Sequence, residues 1–262
     1  MRALVPVLAS LTMGAAAHAQ ESMAVYAAGS LREALTEVAA LWQARGGAPV
    51  ALTFGASGLL RERIEKGEPA QVFASADTEH PQRLSAGGAW QAPVIFTRNG
   101  LCALAAANVD ATPQTLLSTL LRADVRLGTS KPRADPSGDY AWALFRKAEA
   151  VRPGAYATLD AKALKLTGGA DSPKPPAGRS TYAWVMDSGQ ADVFLTYCTN
   201  AVAAQREVPR LKVVQVPPEL QVGAAYGLTV RSGAPQAARD FAAFLLSQPA
   251  QQVFARLGFR AP

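Results

Sequence analysis

The apolar residues of the chain alternate between two spacings, one typical of strands and one typical of helices. Residues 23–28 form a short, wholly apolar run, MAVYAA, which indicates a buried strand. In residues 31–45 the apolar side chains instead recur at intervals of three and four, which places them on one face of a helix. This segment is therefore predicted to be a strand followed by an amphipathic helix, whose apolar positions are Leu31, Leu35, Val38, Leu41 and Trp42.

The same alternation continues along the chain and indicates the fold class. Short apolar runs separated by helical patterns are typical of strand–helix–strand units with a largely parallel sheet. We therefore expect an α/β protein with mixed, mostly parallel sheets. Further strands are predicted at 49–54, 71–75, 101–105, 125–128, 192–197, 211–216 and 226–230, and further helices at 59–66, 113–121, 140–150, 181–188 and, in two segments, 234–257.

The order of these elements predicts how the chain divides into lobes. Two α/β sets follow one another, and the last strands and helices have no evident sheet of their own, so the C-terminal segment is expected to return to the first set. This gives lobe 1 at residues 20–99 plus 223–262 and lobe 2 at residues 100–222. Hinge strands are expected near 98–101 and between 216 and 226.

Residues 1–19 have the pattern of a secretory signal peptide. Arg2 precedes an apolar, alanine-rich stretch that ends in an A-x-A cleavage pattern at 17–19. The stretch is shorter than the roughly 20 apolar residues that a membrane-spanning helix needs. We therefore expect an exported, periplasmic protein whose mature chain begins at Gln20.

Charge and cysteine content narrow the classes of partner. The 262-residue chain has a formal net charge of +6, but its Lys and Arg are scattered without interleaved aromatic residues, so no nucleic-acid partner is expected. After residue 19 the only histidine is His80, in a polar segment expected at the surface, and no C-x-x-C pair occurs, so no metal site or cofactor is predicted. Cys102 and Cys198 either form one disulfide or stay as two buried thiols.

At four places a strand gives way to a helix through a short turn that contains a serine. Serine is a common N-cap, and Ser30 with Glu33 has the spacing of a capping box, so capping alone explains each serine. Helix starts also leave backbone N–H groups unpaired at the positive end of the helix dipole. Four such junctions beyond the ends of strands together indicate an anion-binding cleft. They contain Ser30, Ser57, Ser137 and Ser180.

Three segments near these junctions carry a family resemblance. They are AAGSL at 27–31, FGASGL at 54–59 and GEPAQVFASAD at 67–77. The sequence resembles the periplasmic molybdate-binding component of ABC transporters, a branch of the type II solute-binding proteins, over nearly the whole mature chain. The resemblance implies two lobes that close over molybdate or tungstate by bending a hinge, with neutral hydroxyl and backbone donors around the anion.

The resemblance also implies partners and ligand residues. The expected partner is a permease in the inner membrane, and the protein is expected to be a monomer without a cofactor. Ser30 and Ser57 match the two serine ligands of the family, and Tyr197 matches its tyrosine ligand. Ser137 falls where the family uses a backbone N–H, and Arg179 falls near another backbone donor.

Two carboxylates near Ser137 bear on which anion would bind. A fully ionised oxyanion such as molybdate only accepts hydrogen bonds, whereas phosphate near pH 7 often keeps a proton and benefits from an acceptor. If Asp135 or Asp139 points into the cleft, molybdate is disfavoured, because an unpaired carboxylate buried beside a dianion is costly. We expect Asp139 to serve the first turn of its helix. Another oxyanion, a small organic acid and an anionic metal chelate are the alternative ligands.

A secreted serine hydrolase is the alternative from a different class. The segment GASGL at 55–59 lacks the second glycine of G-x-S-x-G, and no complete triad can be assigned with His80. The sequence also has no S-x-x-K or Walker motif. We therefore expect a binding protein rather than an enzyme.

Overall fold

The computed structural model describes residues 22–262, and the predicted signal peptide lies outside the described residues. Strands and helices alternate along most of this range. Within it, no helix has the length and apolar character needed to cross a membrane. The strands are β1 (Met23–Ala28), β2 (Val50–Gly55), β3 (Val72–Ser75), β4 (Val94–Ala105), β5 (Leu127–Ser130), β6 (Leu164–Thr167), β7 (Val193–Tyr197), β8 (Lys212–Gln215) and β9 (Gly223–Val230).

Ten α-helices lie in the described range, together with a one-turn 3₁₀ helix, Gly29–Leu31, between β1 and the first of them. They are α1 (Arg32–Ala44), α2 (Ser57–Glu65), α3 (Glu79–Ala86), α4 (Leu116–Leu121), α5 (Pro136–Val151), α6 (Ala155–Lys162), α7 (Thr181–Asp187), α8 (Cys198–Glu207), α9 (Gln236–Leu245) and α10 (Gln248–Arg256).

Within residues 22–262 the strands form one mixed sheet in the order β2-β1-β3-β9-β4-β7-β5-β6, with β8 paired to β4. β1 pairs in parallel with β2 and β3, and β5 pairs in parallel with β6 and β7. The four antiparallel pairings all involve β4 or β9. The predicted α/β class with a mixed sheet is confirmed, and the antiparallel share comes from the two strands at the centre of the sheet.

β4 connects two groups of strands. Up to Gly100 it pairs with β9, and from Leu101 onward it pairs with β7 and β8. We call β1, β2, β3, β9 and the first part of β4 the first strand group, and the second part of β4 with β5–β8 the second strand group. This change of partners falls within 98–101, where a hinge strand is predicted, and the lobe boundaries themselves stay a prediction.

Helices cover both faces of each strand group. In the first group, Val25 packs with α1, α9 and α10 on one face, and Phe73 packs with α2 and α3 on the other. In the second group, Leu127 packs with α4, α5 and α6, and Phe194 packs with α7 and α8. Because side chains alternate across a strand, apolar residues on both faces suit a sheet buried between two helix layers.

The sheet brings together the strand ends that precede the predicted serines. β1 and β2 run in register, with Ala28 beside Gly55, so the turns that follow them lie at one edge. β5 and β6 likewise end side by side, with Ser130 beside Thr167. The ends of both strand groups face a common cleft, which is where open α/β sheets bind their ligands.

Three helices, α3, α6 and α8, lie where no element is predicted. The segment of α3 has few apolar residues, and the side chains it buries are His80, Pro81 and Leu84, so no helical spacing is visible. The prediction that His80 lies at the surface is wrong, since it is 5% exposed. Its polar segment folds as a helix against β3 and β9.

The two cysteines of the chain, Cys102 and Cys198, form a disulfide. Cys102 lies in β4, and Cys198 is the first residue of α8. The disulfide therefore ties the centre of the sheet to the residue that directly follows Tyr197.

Candidate functional site

A cleft of about 760 Å³ lies between the ends of the two strand groups. One side, which we call the first wall, is formed by the turns after β1, β2 and β3 and includes Ser30, Ser57 and Ala76. The opposite side, the second wall, is formed by the ends of β6 and β7, the N-cap of α5 and the segment that leads into α7, and it includes Asp135 and Tyr197. The cleft thus brings together residues that are far apart in the sequence.

Ser30 lies in the 3₁₀ helix, and a chain of side chains orients its hydroxyl. Its Oγ lies 2.9 Å from the Tyr226 hydroxyl, which accepts a hydrogen bond from Asn99 Nδ2 at 3.4 Å. The Asn99 amide is held in place because its Oδ1 accepts the N–H of Gly100 at 2.9 Å. Since an amide nitrogen only donates, Tyr226 accepts from Asn99, whereas in the Ser30–Tyr226 pair either hydroxyl can be the donor. When Tyr226 donates to Ser30, the Ser30 proton is left for a ligand.

The interpretation of Ser30 and Glu33 as a capping box is wrong. The N-cap of α1 is Leu31, and no side chain caps this helix. Glu33 instead lies 3.5 Å from Arg206 in an ion pair. The Ser30 hydroxyl therefore belongs to the cleft and not to the helix start.

Ser57 is the first residue of α2 and is 1% exposed, at the base of the first wall. Its Oγ accepts the N–H of Ala76 at 3.1 Å, which positions the hydroxyl. Neither its hydroxyl proton nor its backbone N–H has an acceptor among the described residues. The N-cap of α2 is Ala56, which has no side chain that could accept these hydrogen bonds. The start of α2 therefore presents open donors, as an anion site requires.

Two hydrogen bonds to backbone carbonyl oxygens join the first wall to the second. The N–H of Gly58, in the first turn of α2, donates to the carbonyl oxygen of Ala134 at 2.9 Å. The Tyr197 hydroxyl donates to the carbonyl oxygen of Ala76 at 3.2 Å. In this conformation the two walls are therefore in direct contact.

Tyr197 is 1% exposed, and its ring packs against the rings of Tyr140 and Tyr226. Burial raises the pKa of the Tyr197 hydroxyl well above its usual range, so this group stays protonated at neutral pH. Because its single proton is donated to Ala76, the hydroxyl offers the cleft only lone pairs. Its role as a ligand residue stays a prediction.

The start of α5 differs from the start of α2. Asp135 is the N-cap, and its Oδ1 accepts the N–H of Ser137 at 3.0 Å. Ser137 is fully buried behind the cleft, and its hydroxyl donates to Ser130 Oγ at 2.7 Å. The backbone donor implied at Ser137 is thus already paired with a carboxylate of the protein, and its role toward a ligand stays a prediction.

The Asp135 carboxyl group lies in the second wall, close to the backbone at Gly168. Gly168 has φ +80°, and a Cβ there would lie 2.5 Å from the Asp135 Cβ and 2.9 Å from its Oδ2. Position 168 therefore requires glycine, both for the positive φ and for the close approach. Burial raises the pKa of Asp135, against the opposing effect of the hydrogen bond from the Ser137 N–H and of the nearby Ser130 and Ser137 hydroxyls.

Asp139, the second carboxylate in question, lies in the first turn of α5, as expected. It accepts the N–H of Arg133, a residue with φ 67°, at 3.0 Å. It is not among the residues that line the cleft. Of these two carboxylates, only Asp135 is a wall residue.

Tyr182, on α7, lies in the second wall close to Asp135. Its ring packs edge-on against Phe194 at a centroid distance of 5.3 Å. Burial and, to a smaller extent, the nearby charge of Asp135 raise the pKa of Tyr182 to about 12. Its hydroxyl is therefore neutral at physiological pH.

Arg179 lines the cleft at its rim, where its charge is compensated. Its Nε donates to Glu207 at 2.7 Å, and its Nη2 donates to Asp187 at 3.1 Å. These hydrogen bonds raise the pKa of the guanidinium. Its backbone N–H donates to the carbonyl oxygen of Pro176 at 3.2 Å. Since these donors are already paired, a ligand role for Arg179 stays a prediction.

Arg32 and Lys174 also line the cleft, and both are exposed. The guanidinium of Arg32 lies over the Phe54 ring, 4.5 Å from its centroid. The ion pairs described at the cleft are those of Arg179 and Arg206, and they leave Arg32 and Lys174 uncompensated. These two charges favour the approach of an anion.

Sequence reasoning missed Asn99, Tyr226 and Ala76. Tyr226 lies in an apolar strand, where an aromatic residue is explained by packing, and Ala76 contributes only backbone groups. Of these three residues, only Asn99 is recognisable from the sequence. It places a polar amide in a strand otherwise suited to burial, which indicates that the amide has hydrogen-bond partners. In the part of the chain that the structure describes, no group of His, Cys, Asp or Glu could hold a metal ion.

Two bacterial proteins are similar to this chain over most of its length. The uncharacterized protein PM1146 of Pasteurella multocida (strain Pm70) is 37% identical over 211 residues, which cover 79% of this chain and 86% of that protein. The molybdate-binding protein ModA of Mycobacterium tuberculosis (strain ATCC 25618 / H37Rv) is 27% identical over 250 residues, covering 92% of this chain and 85% of that protein.

A solved structure, the sulfate-binding protein SubI of Mycobacterium tuberculosis H37Rv, matches the fold with a TM-score of 0.75 at 21% identity, covering 92% of this chain and 86% of that chain. The family described as bacterial extracellular solute-binding protein matches residues 23–260. That range contains both walls of the cleft and nearly all of the described residues. The chain therefore belongs to the bacterial extracellular solute-binding proteins.

Proposed function

We propose that this protein is the periplasmic solute-binding component of an ABC importer and that it holds an oxyanion group of its solute at the first wall of the cleft. The single observation that carries this proposal is the start of α2. There an uncapped helix and the buried Ser57 hydroxyl present open donors to the cleft. Uncharged donors of this kind stabilise an anion without introducing a counter-charge.

Closure of the two walls is the proposed mechanism. The anion docks on the first wall, the hinge strands bend, and the contacts of Gly58 with Ala134 and of Tyr197 with Ala76 join the walls around it. The permease in the inner membrane would then recognise the closed shape. The family and the fold are those of solute-binding proteins, and we propose no reaction.

Among simple oxyanions, molybdate and tungstate are the first candidates. The resemblance in the segments around Ser30 and Ser57 and the similarity to a molybdate-binding relative support them. A second candidate is an oxyanion that keeps a proton, such as hydrogen phosphate. The position of Asp135 in the second wall favours it, because a carboxylate accepts from a protonated oxygen.

The test is a calorimetric titration of the mature protein with molybdate, tungstate, sulfate and phosphate. Ser57→Ala should weaken binding of the preferred anion by about 10- to 150-fold, since a charge-assisted hydrogen bond contributes about 1.5–3 kcal/mol. Ser118→Ala, at an exposed position on α4, is the matched control and should leave the affinity unchanged. If the native protein and Ser57→Ala bind the preferred anion with equal affinity, the anion does not bind at the start of α2.

A further inference from the structure

The second wall of the cleft presents hydrogen-bond acceptors. Asp135 uses Oδ1 to accept the N–H of Ser137, while no donor to its Oδ2 occurs among the described residues. Oδ2 lies at the cleft-lining segment that contains Gly168. The absence of a side chain at position 168 leaves room for this carboxylate in the wall. One carboxylate oxygen is thus held by the helix start, and the other is open.

Tyr197 adds a second acceptor to the same wall. Its proton is donated to the carbonyl oxygen of Ala76, so toward a ligand this hydroxyl can act only as an acceptor. The backbone N–H of Ser137, which would otherwise be a donor here, is paired with Asp135. The start of α5 in the second wall therefore lacks the open donors found at the start of α2.

No cation within residues 22–262 forms an ion pair with Asp135. Arg179, at the rim of the second wall, is paired with Glu207 and Asp187, and the exposed Lys174 forms no ion pair with Asp135. A bare dianion between the walls would therefore face an uncompensated carboxylate, which is costly in a partly desolvated cleft. Burial already raises the pKa of Asp135, as expected for a carboxylate without a cationic partner.

The cleft is also larger than a tetrahedral oxyanion needs. At about 760 Å³ it lies within the range of about 300–1,000 Å³ that is usual for sites of organic ligands. Donors on one wall and acceptors on the other suit a solute that carries both kinds of group. A bare oxyanion, which only accepts, satisfies the first wall alone.

Building on the proposed function, we propose that the solute is a small organic anion with its own hydroxyl or ammonium donor. Its oxyanion group binds Ser30 and Ser57, and its donor binds Oδ2 of Asp135. Asp135 is then the residue that selects such solutes against bare dianions. The neutral Tyr182 hydroxyl, in the same wall, is placed to contact the organic part.

The first test uses bare anions and does not depend on the identity of the solute. Asp135→Asn keeps an oxygen that can cap α5 and replaces the open acceptor by a donor. We expect it to tighten binding of molybdate and sulfate at least tenfold in calorimetric titrations at pH 7.5. Asp135→Ser, which also keeps an N-cap residue and removes the charge, should act in the same direction. Asp160→Asn, on α6 and outside the cleft, is the matched control.

The second test compares solutes that differ only in their donors. Glycerol 3-phosphate is paired with propyl phosphate, and phosphoethanolamine is paired with ethyl phosphate. The native protein should bind one donor-bearing member at least tenfold more tightly than its counterpart, and Asp135→Asn should abolish that preference. The preferred pair identifies whether the donor is a hydroxyl or an ammonium group.

The outcomes separate this inference from the proposed function. Tight molybdate or sulfate binding by the native protein that Asp135→Asn leaves unchanged overturns the inference and keeps the anion site. Failure of every bare and organic anion to bind to the native protein and to Asp135→Asn overturns the proposed function, and the inference with it.

Discussion

The two walls of the cleft are built from the same local pattern but present opposite chemistry. On each wall a strand end is followed by a short turn and the start of a helix. At α2 the N-cap is Ala56, and the donors of the helix start stay open; at α5 the N-cap is Asp135, whose carboxylate takes the N–H of Ser137. The start of a helix can bind an anion only where the N-cap residue leaves the backbone N–H donors of the first turn unpaired. One residue at each junction therefore decides which part of a solute each wall can hold.

The walls also differ in covalent support. Removing the disulfide should have the largest effect on the stability of the protein. The Cys102–Cys198 disulfide spans 96 positions of sequence and lies next to Tyr197 in the second wall. We expect a double variant, Cys102→Ala with Cys198→Ala, to lose about 2–5 kcal/mol of unfolding free energy, because the disulfide restricts the unfolded chain. Urea unfolding followed by circular dichroism measures this loss.

Reduction provides the control for the disulfide. Dithiothreitol should lower the urea midpoint of the native protein toward that of the double variant and leave the double variant unchanged. Equal midpoints for the native and double-variant proteins would show that the second wall does not depend on its covalent tie.

The contact between the walls gives the next largest effect. A Cβ at Gly58 would collide with the carbonyl oxygen of Arg133 and lie 2.8 Å from that of Ala134. Because these are backbone atoms, Gly58→Ala should push the walls apart at a cost of about 1–3 kcal/mol. The preferred anion should then bind about 5- to 150-fold more weakly in calorimetric titrations.

Gly87→Ala is the matched control for this substitution. Gly87 has φ −76°, and the nearest atom to an added Cβ is the Leu84 carbonyl oxygen at 3.5 Å, an ordinary contact. It should leave anion affinity unchanged. If Gly58→Ala binds the anion as tightly as the Gly87→Ala control, the walls do not need this contact to close.

The sequence allows the framework of the cleft to be predicted but not its polarity. The turns at Ser30 and Ser57 are visible because small residues and a serine follow an apolar strand. The capping role of Asp135 also has a local signal, since Asp followed by Pro136 is typical of an N-cap and the first helical residue. Ser137, two residues later, fits the pattern of a serine at a helix start equally well, so the local sequence does not decide between the two.

Other features of the site depend on tertiary structure. The hydrogen bonds of Tyr226 with Asn99 and Ser30 join residues from β4, β9 and the 3₁₀ helix. No local sequence pattern predicts them. The disulfide likewise needs β7 to pair beside β4, which brings the two Cα atoms to 4.8 Å. Periodicity predicts that these strands exist, whereas their neighbours in the sheet follow from packing.

The smallest predicted effect is the cost in stability of the open carboxylate in the second wall. The pKa of Asp135 is raised in the folded state by burial, so between its ordinary pKa, near 3.8, and the raised value the folded protein holds a proton that the unfolded chain has lost. Stability linked to Asp135 is therefore lost as the pH rises through this window, by about 1.4 kcal/mol for each tenfold difference between the folded and unfolded acid dissociation constants. Asp135→Asn should match the native protein most closely near pH 3.5 and be more stable at pH 7, as measured by urea unfolding at each pH.

The control is Asp124→Asn, which removes a carboxylate whose pKa is instead lowered by its hydrogen bond with Arg122. This variant should not be more stable than the native protein at pH 7. An advantage of Asp135→Asn that stays constant from pH 3.5 to 7 would mean that ionisation of the wall carboxylate does not cause the cost.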